Sequence, residues 1–260
     1  MPLLSADSPA VHTQQPSLDG RNVMVTGGTT GIGRATAALL AAHGANVFIF
    51  GRHEPELRTA LDYLSQARGT ILGTIADQSR AEDVARVFAA ADHELGPLDV
   101  LVNNASIGAG EITEGDDAQW RYALQSDLTG YLDCTRHAVD RMKRRGRGHI
   151  VNVGSISSVH HTKGLSLYVA AKSAIHGYSR ALHRELGPHG IKVSLIEPGL
   201  VGTEIFEPGE PERAPEVQHA EQRRGAMLKP EDIAVAVHYC LTQPPRCNIG
   251  LVRIEPLKAE

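Results

Sequence analysis

Cysteine is scarce: Cys134, Cys240 and Cys247 are the only three in 260 residues. They form no CxxC and no zinc-ligand spacing, so the chain has neither a disulfide framework nor a metal cluster in its pattern, and a reducing cytoplasm suits it. Excess positive charge is missing too. At a formal net charge of −4 and a pI near 6.3, no global basic field exists to gather nucleic acid or anionic lipid. The densest basic run, RMKRRGRGH at 141–149, follows a long amphipathic segment and reads as a helix C-terminus, where cations complement the dipole. No apolar run approaches the ~20 residues of a membrane span. The first twenty residues, MPLLSADSPAVHTQQPSLDG, lack the basic start and apolar core of a secretory signal. Internal repeats and low-complexity tracts are absent. What survives these exclusions is a cytoplasmic protein acting on a small molecule, with a disordered leader over 1–18 and one domain over 19–258.

The hydrophobic content, 42%, is enough for one sizeable core. Short apolar runs alternate with longer segments of helical period: NVMVTG before IGRATAALLAAHG, NVFIFG before PELRTALDYLSQARG, TILGTIAD before AEDVARVFAAADHELG. LDVLVNNA, HIVNVGS and IKVSLIEPG each lead to a further helical stretch, and IGLVRIEP closes the series. This alternation specifies an α/β domain, a parallel sheet with helices on both faces. The strands are nearly continuously apolar, as strands covered on both sides are. Between about 200 and 229 the chain turns polar and rich in Pro and Glu, a substrate loop expected beyond the carboxyl ends of the strands.

Directly after the first strand comes TGGTTGIG at 26–33, opening into a helix. Glycine lets a backbone approach a pyrophosphate closely, and a helix start offers free N–H groups and partial positive charge to receive it. Gly27, Gly31 and Gly33, with Thr29, Thr30 and Ile32, are the expected dinucleotide cradle. At the end of the second strand, where an acidic residue would favour NAD, stand Gly51 and Arg52. Arg52 can pair with a 2′-phosphate, with Thr29 or Thr30 adding hydroxyls, so NADP(H) is expected ahead of NAD(H).

LYVAAKSA at 167–174 sets Tyr168 and Lys172 four apart, on one helical face. Reducing a carbonyl needs a proton for the developing alkoxide, and a phenol can give it; a pKa near 10 must first be lowered, which an adjacent ammonium does. Ser155, after the fifth strand, can hydrogen-bond the substrate oxygen. The histidines His160 and His161 are loop residues expected to edge the substrate pocket. No metal is needed.

The spacing T-G-x3-G-x-G, Asp77 after the third strand, NNAS at 103–106, Ser155 thirteen positions before Tyr168, Lys172, and PGLVGT at 198–203 together resemble the short-chain dehydrogenase/reductase family along nearly the whole chain. The resemblance implies a Rossmann-type, doubly wound parallel sheet flanked by helices, in a homotetramer or homodimer built on paired long helices. It implies an NADP(H)-dependent interconversion of an alcohol and a ketone or aldehyde. It places Asp77 near the adenine, Asn104, Ala105 and Ser106 along the ribose, and Pro198, Gly199, Val201 and Thr203 among the cofactor-binding residues. Lys172 would also hold the nicotinamide ribose. Two positions depart from the pattern: Ser106 stands where glycine is usual, and Asp127 where the fourth catalytic residue is usually Asn. Asp127 is expected to face Lys172, directly or through water. The C-terminus, QPPRCNIGLVRIEPLKAE, is similar to the branch of NADP-dependent 3-hydroxy acid and serine dehydrogenases. Two alternatives stand beside this reading: a non-catalytic NADP(H)-binding sensor, and an NAD-linked sugar or alcohol dehydrogenase.

Overall fold

NVMVT forms β1 (Asn22–Thr26), buried at every position. Its side chains alternate between two cores, Val23 and Val25 into one and Met24 into the other, as the period of a strand requires. The computed structural model describes residues 16–113, 115–203 and 227–257. Over these, β2 (Asn46–Gly51), β3 (Ile71–Ile75), β4 (Val100–Asn103), β5 (Gly148–Val153), β6 (Ile191–Pro198) and β7 (Leu251–Ile254) join β1 in one sheet. The order is β3-β2-β1-β4-β5-β6-β7 and every pairing is parallel, with Val25 opposite Ile49 on one side and Val102 on the other. The winding reverses between β1 and β4, which opens a crevice at their carboxyl ends. Each of the seven strands falls on a run expected from the sequence.

The helices α1 (Gly31–Ala42), α2 (Glu54–Leu64) and α8 (Pro230–Leu241) cover one face. On the other face lie α3 (Ala81–Leu95), α5 (Gly130–Arg145) and α7 (Ser166–Leu186). Leu40, Ile49 and Val237 belong to the first core; Phe48, Phe88, Ile150 and Leu182 belong to the second. Full burial of each such side chain contributes ~1.5–3 kcal/mol. Two short helices stand at the crevice, α4 (Asp117–Leu124) and α6 (Ser157–His160). A capping box on Asp116 and Gln119 starts α4. It passes into α5 through a π-helical turn, Gln125–Thr129. At the far end of α5, Gly146 takes the left-handed cap, and Arg145 donates to the carbonyls of Pro97 and Leu98 and to Asp99. The basic run is thus a helix end, as its position in the sequence implied.

Leu18, placed by the sequence reading in the leader, is 2% exposed and belongs to the first core. The rest of that leader, through residue 15, lies outside the described residues, as does most of the expected substrate loop, 204–226. The two ends of that loop meet: Leu228 donates its N–H to Leu200 O, and Gly202 donates to Leu228 O.

Candidate active site

The glycine-rich turn is built between β1 and the segment after β4. The Thr26 hydroxyl accepts the N–H groups of Asn104 and Ala105, each at 2.9 Å. Asn104 Nδ2 donates back to the carbonyls of Thr26 at 3.0 Å and Gly27 at 3.2 Å. Gly27 has φ +60°, and a Cβ on Gly33 would collide with the Gly27 carbonyl oxygen. The turn therefore needs glycine at both, one for its backbone angle and one for close packing. No side chain caps the first turn of α1.

A cavity of about 520 Å³ opens over this turn. Gly27, Thr29, Thr30, Gly31 and Ile32 form its floor, with Arg52 and Asp77 from the ends of β2 and β3. Asn104, Ala105 and Ser106 line it from the segment after β4, and Pro198, Gly199, Val201 and Thr203 from the segment that begins at the end of β6. Ser155, Tyr168 and Lys172 enter the same cavity. Gly33 lies beneath the turn and Asp127 behind Ser106, so neither is part of the lining. His160 and His161 are exposed, and Ser157, Thr162 and Leu165 take the wall between Ser155 and Tyr168.

Ser155 and Tyr168 line the same cavity, and the Ser155 hydroxyl is close enough to the Tyr168 phenol to favour its ionised form. Lys172, only 2% exposed, holds its Nζ 5.5 Å from the centre of the Tyr168 ring. It donates to Val153 O at 3.4 Å and to the Tyr131 hydroxyl at 3.5 Å. The Tyr131 hydroxyl in turn donates to Val153 O at 3.0 Å. Burial pushes the Tyr168 phenol up to about 12; the Ser155 hydroxyl opposes this and the charge of Asp127 adds to it. Burial likewise lowers the Lys172 ammonium, against the attraction of Asp127. The expected lowering of the phenol by Lys172 is not the balance this arrangement strikes. Burial dominates, and the neutral, proton-bearing phenol is the stable form.

Asp127 sits in the π-helical turn and is 1% exposed. Its carboxylate accepts the Ser106 hydroxyl at 2.5 Å and the Ile107 N–H at 2.9 Å. The two positions that depart from the resemblance are therefore bonded to each other. Asp127 is committed to the segment after β4, and its influence on Lys172 and Tyr168 is exerted through its charge.

With this geometry the comparisons agree. The family described as short chain dehydrogenase matches residues 21–214. The chain belongs to the short chain dehydrogenase family. An uncharacterised oxidoreductase of Staphylococcus aureus (strain USA300) is 32% identical over 241 residues, covering 92% of this chain and 99% of the relative. One from Staphylococcus saprophyticus is 31% identical over 242 residues, with the same two coverages. Among solved structures, a variant of actinorhodin polyketide ketoreductase with NADPH is 30% identical at a TM-score of 0.79, covering 91% of this chain and 96% of that one. A metagenomic short-chain oxidoreductase in complex with NADP is 27% identical at 0.78, covering 94% and 100%. This short chain dehydrogenase is an oxidoreductase acting on CH–OH groups with a nicotinamide cofactor. The absence of acid at Gly51, the glycine-rich turn and the volume of the cavity fit such a dinucleotide.

Three residues of this dehydrogenase site escaped the sequence reading. Tyr131 lies four positions after Asp127 on a helix, a spacing that could have pointed it toward Lys172. Gln78, next to Asp77, is buried and donates to the carbonyls of Ala105 at 3.0 Å and Ser126 at 2.8 Å, bracing the wall on which Ser106 sits. Tyr122, on α4, hydrogen-bonds both Arg52 and Asp77. Nothing in its local sequence marks it, because the contacts span 70 and 45 residues.

Proposed function

We propose that this chain is an NADP(H)-dependent oxidoreductase that interconverts an alcohol with a ketone or aldehyde, with Tyr168 as general acid/base. The observation that carries the proposal is the grouping of Ser155 and Tyr168 with a buried Lys172, whose Nζ lies 5.5 Å from the centre of the Tyr168 ring, in the same cavity as the glycine-rich turn. Gly27 to Gly33, Asn104, Lys172 and the segment from Pro198 to Thr203 would hold the nicotinamide cofactor, which when bound would supply or accept the hydride. Ser155 donates a hydrogen bond to the carbonyl oxygen and polarises it. Tyr168 gives its phenolic proton to that oxygen as negative charge builds there, and Lys172 stabilises the phenolate left behind. In the reverse direction the phenolate takes the alcohol proton. Asp127 fixes the wall through Ser106 and Ile107, and Arg52 supports NADP(H) over NAD(H).

Around Ser155 and Tyr168 the described lining is Ile107, Ile156, Leu165 and Leu200, with hydroxyls from Ser157 and Thr162. Among the described lining residues, the charges of Arg52, Glu56 and Asp77 belong to the adenosine end, and Lys172 is the buried cation beside Tyr168. This wall supports an uncharged carbonyl flanked by apolar groups more than the small hydroxy acid that the C-terminal resemblance implied. The test is a panel of neutral ketones and aldehydes, matched 3-keto acids and the corresponding alcohols, followed by NADPH absorbance. Turnover of neutral ketones is the expected result. Preference for the keto acids would restore the hydroxy-acid branch, a higher rate with NADH would favour the NAD-linked alternative, and silence across the panel with intact NADP+ binding would favour the sensor.

A further inference from the structure

Tyr122 does not line the cavity, yet it connects two residues that do. Its hydroxyl lies 2.6 Å from Asp77 Oδ2 and 2.7 Å from Arg52 Nη1. A phenol has one proton, and a carboxylate can only accept, so the proton points to Asp77. The oxygen's lone pair is then left for the guanidinium, which can only donate. The polarity of the chain Arg52 to Tyr122 to Asp77 is fixed without ambiguity. The Arg52 guanidinium carbon also stands 5.7 Å from the centre of the Tyr122 ring, within reach of a cation–π attraction. Two weak restraints thus act on one exposed arginine. Asp77 is anchored in turn: its other carboxylate oxygen accepts the Ser79 N–H at 2.9 Å, and Asp83 accepts the Asp77 N–H at 2.9 Å. Burial would push the Asp77 carboxyl up, but the hydrogen bonds from Tyr122 and Ser79 and the charge of Arg52 outweigh it and hold it below its ordinary value.

We infer that Tyr122 is a specificity-determining positioning residue, which holds the Arg52 guanidinium over the adenosine end of the cavity for a phosphate on the ribose 2′-oxygen. An arginine on a free stem must lose rotamer entropy when it meets a phosphate. One already tethered at Nη1 loses less, and keeps its remaining donors for a bidentate contact. By occupying Asp77 Oδ2, the same hydroxyl stands between this carboxylate and Arg52, so the guanidinium's remaining donors stay free of it. The inference rests on the NADP(H) reading proposed above and extends it to a residue on a third element, α4.

The experiment is titration calorimetry of the full chain with NADP+, NAD+ and adenosine 2′,5′-bisphosphate, comparing Tyr122→Phe and Arg52→Ala with the unmodified protein. Tyr122→Phe keeps the ring and removes only the hydroxyl. It should weaken both 2′-phosphorylated ligands about tenfold, the scale of one hydrogen bond to a charged group, and leave NAD+ unchanged. Arg52→Ala should weaken the same two ligands further. Unchanged affinity for NADP+ in Tyr122→Phe, or an equal loss for NADP+ and NAD+, overturns the role of Tyr122 while Arg52→Ala still shows the phosphate site. If Arg52→Ala also leaves the NADP+/NAD+ ratio untouched, the 2′-phosphate reading itself fails.

Discussion

At the scale of single residues, charge placed in a dry site matters more than contact. Asp127 touches neither Tyr168 nor Lys172 through any hydrogen bond found among the described residues, yet its charge raises both groups. Replacing Asp127 with Asn keeps an acceptor for Ile107 N–H and a partner for Ser106 while removing the charge. The groups then facing Tyr168 are Ser155 from the segment after β5 and Lys172 from its own helix. The phenol should become more acidic. The pKa governing alcohol oxidation should fall by about one pH unit, the effect of a nearby like charge, with activity near neutrality kept or increased. Superimposable kcat/KM profiles, or a move to higher pH, would show that Asp127 acts only as a brace. His149 offers a second test of buried charge. It is 2% exposed between β5 and β6, hydrogen-bonded to Ser194 at 2.9 Å. Burial, with the charges of Lys192 and Arg21, pushes its pKa down to about 3. The folded value lies below the unfolded one, so only the unfolded chain takes up this proton below about pH 6.5. This group's stabilising effect is complete above that pH and declines as pH falls, by roughly 1.4 kcal/mol per unit. Denaturant unfolding of His149→Gln between pH 7 and 5 should show a correspondingly shallower decline than the unmodified protein; equal slopes would contradict the burial account.

At the scale of elements, the site is assembled from turns whose geometry is stricter than their sequence suggests. A Cβ on Gly33 collides with a backbone atom of the turn itself, which has no flexible side chain to move aside. Gly33→Ala should therefore weaken NADP+ and NAD+ alike, about tenfold or more, because the strain of order 1–3 kcal/mol displaces the pyrophosphate cradle rather than the ribose end. Calorimetry with both dinucleotides distinguishes this from the selective loss expected at Arg52. The glycine-rich turn, Ser155, Tyr168 and Lys172 were legible in the sequence because each is a local pattern: a strand–turn–helix, a residue at a strand end, a pair on one helical face. The expected order of strands and helices was legible for the same reason, since hydrophobic period is local. The Ser106–Asp127 bond was not, nor was Tyr122, because they join segments distant in the chain. Nor did spacing reveal the burial that turns Tyr168 into a stable acid.

At the scale of the whole molecule, the winding reversal between β1 and β4 gathers the carboxyl ends of β1 to β6 around one cavity, and seven parallel strands leave β7 as an edge. Leu251 on β7 and Val235 and Tyr239 on α8 are exposed apolar groups. They support assembly with further copies, and light scattering should find a dimer or tetramer rather than a monomer. The central claim is that this cavity transfers a proton through Tyr168. The measurement that tests it most directly is kcat/KM for NADPH-dependent reduction of a turned-over ketone by Tyr168→Phe, with NADP+ affinity measured on the same protein. The predicted result is a fall of roughly 10²–10⁴-fold, the contribution of a general acid, with cofactor affinity nearly unchanged. Undiminished turnover would contradict it.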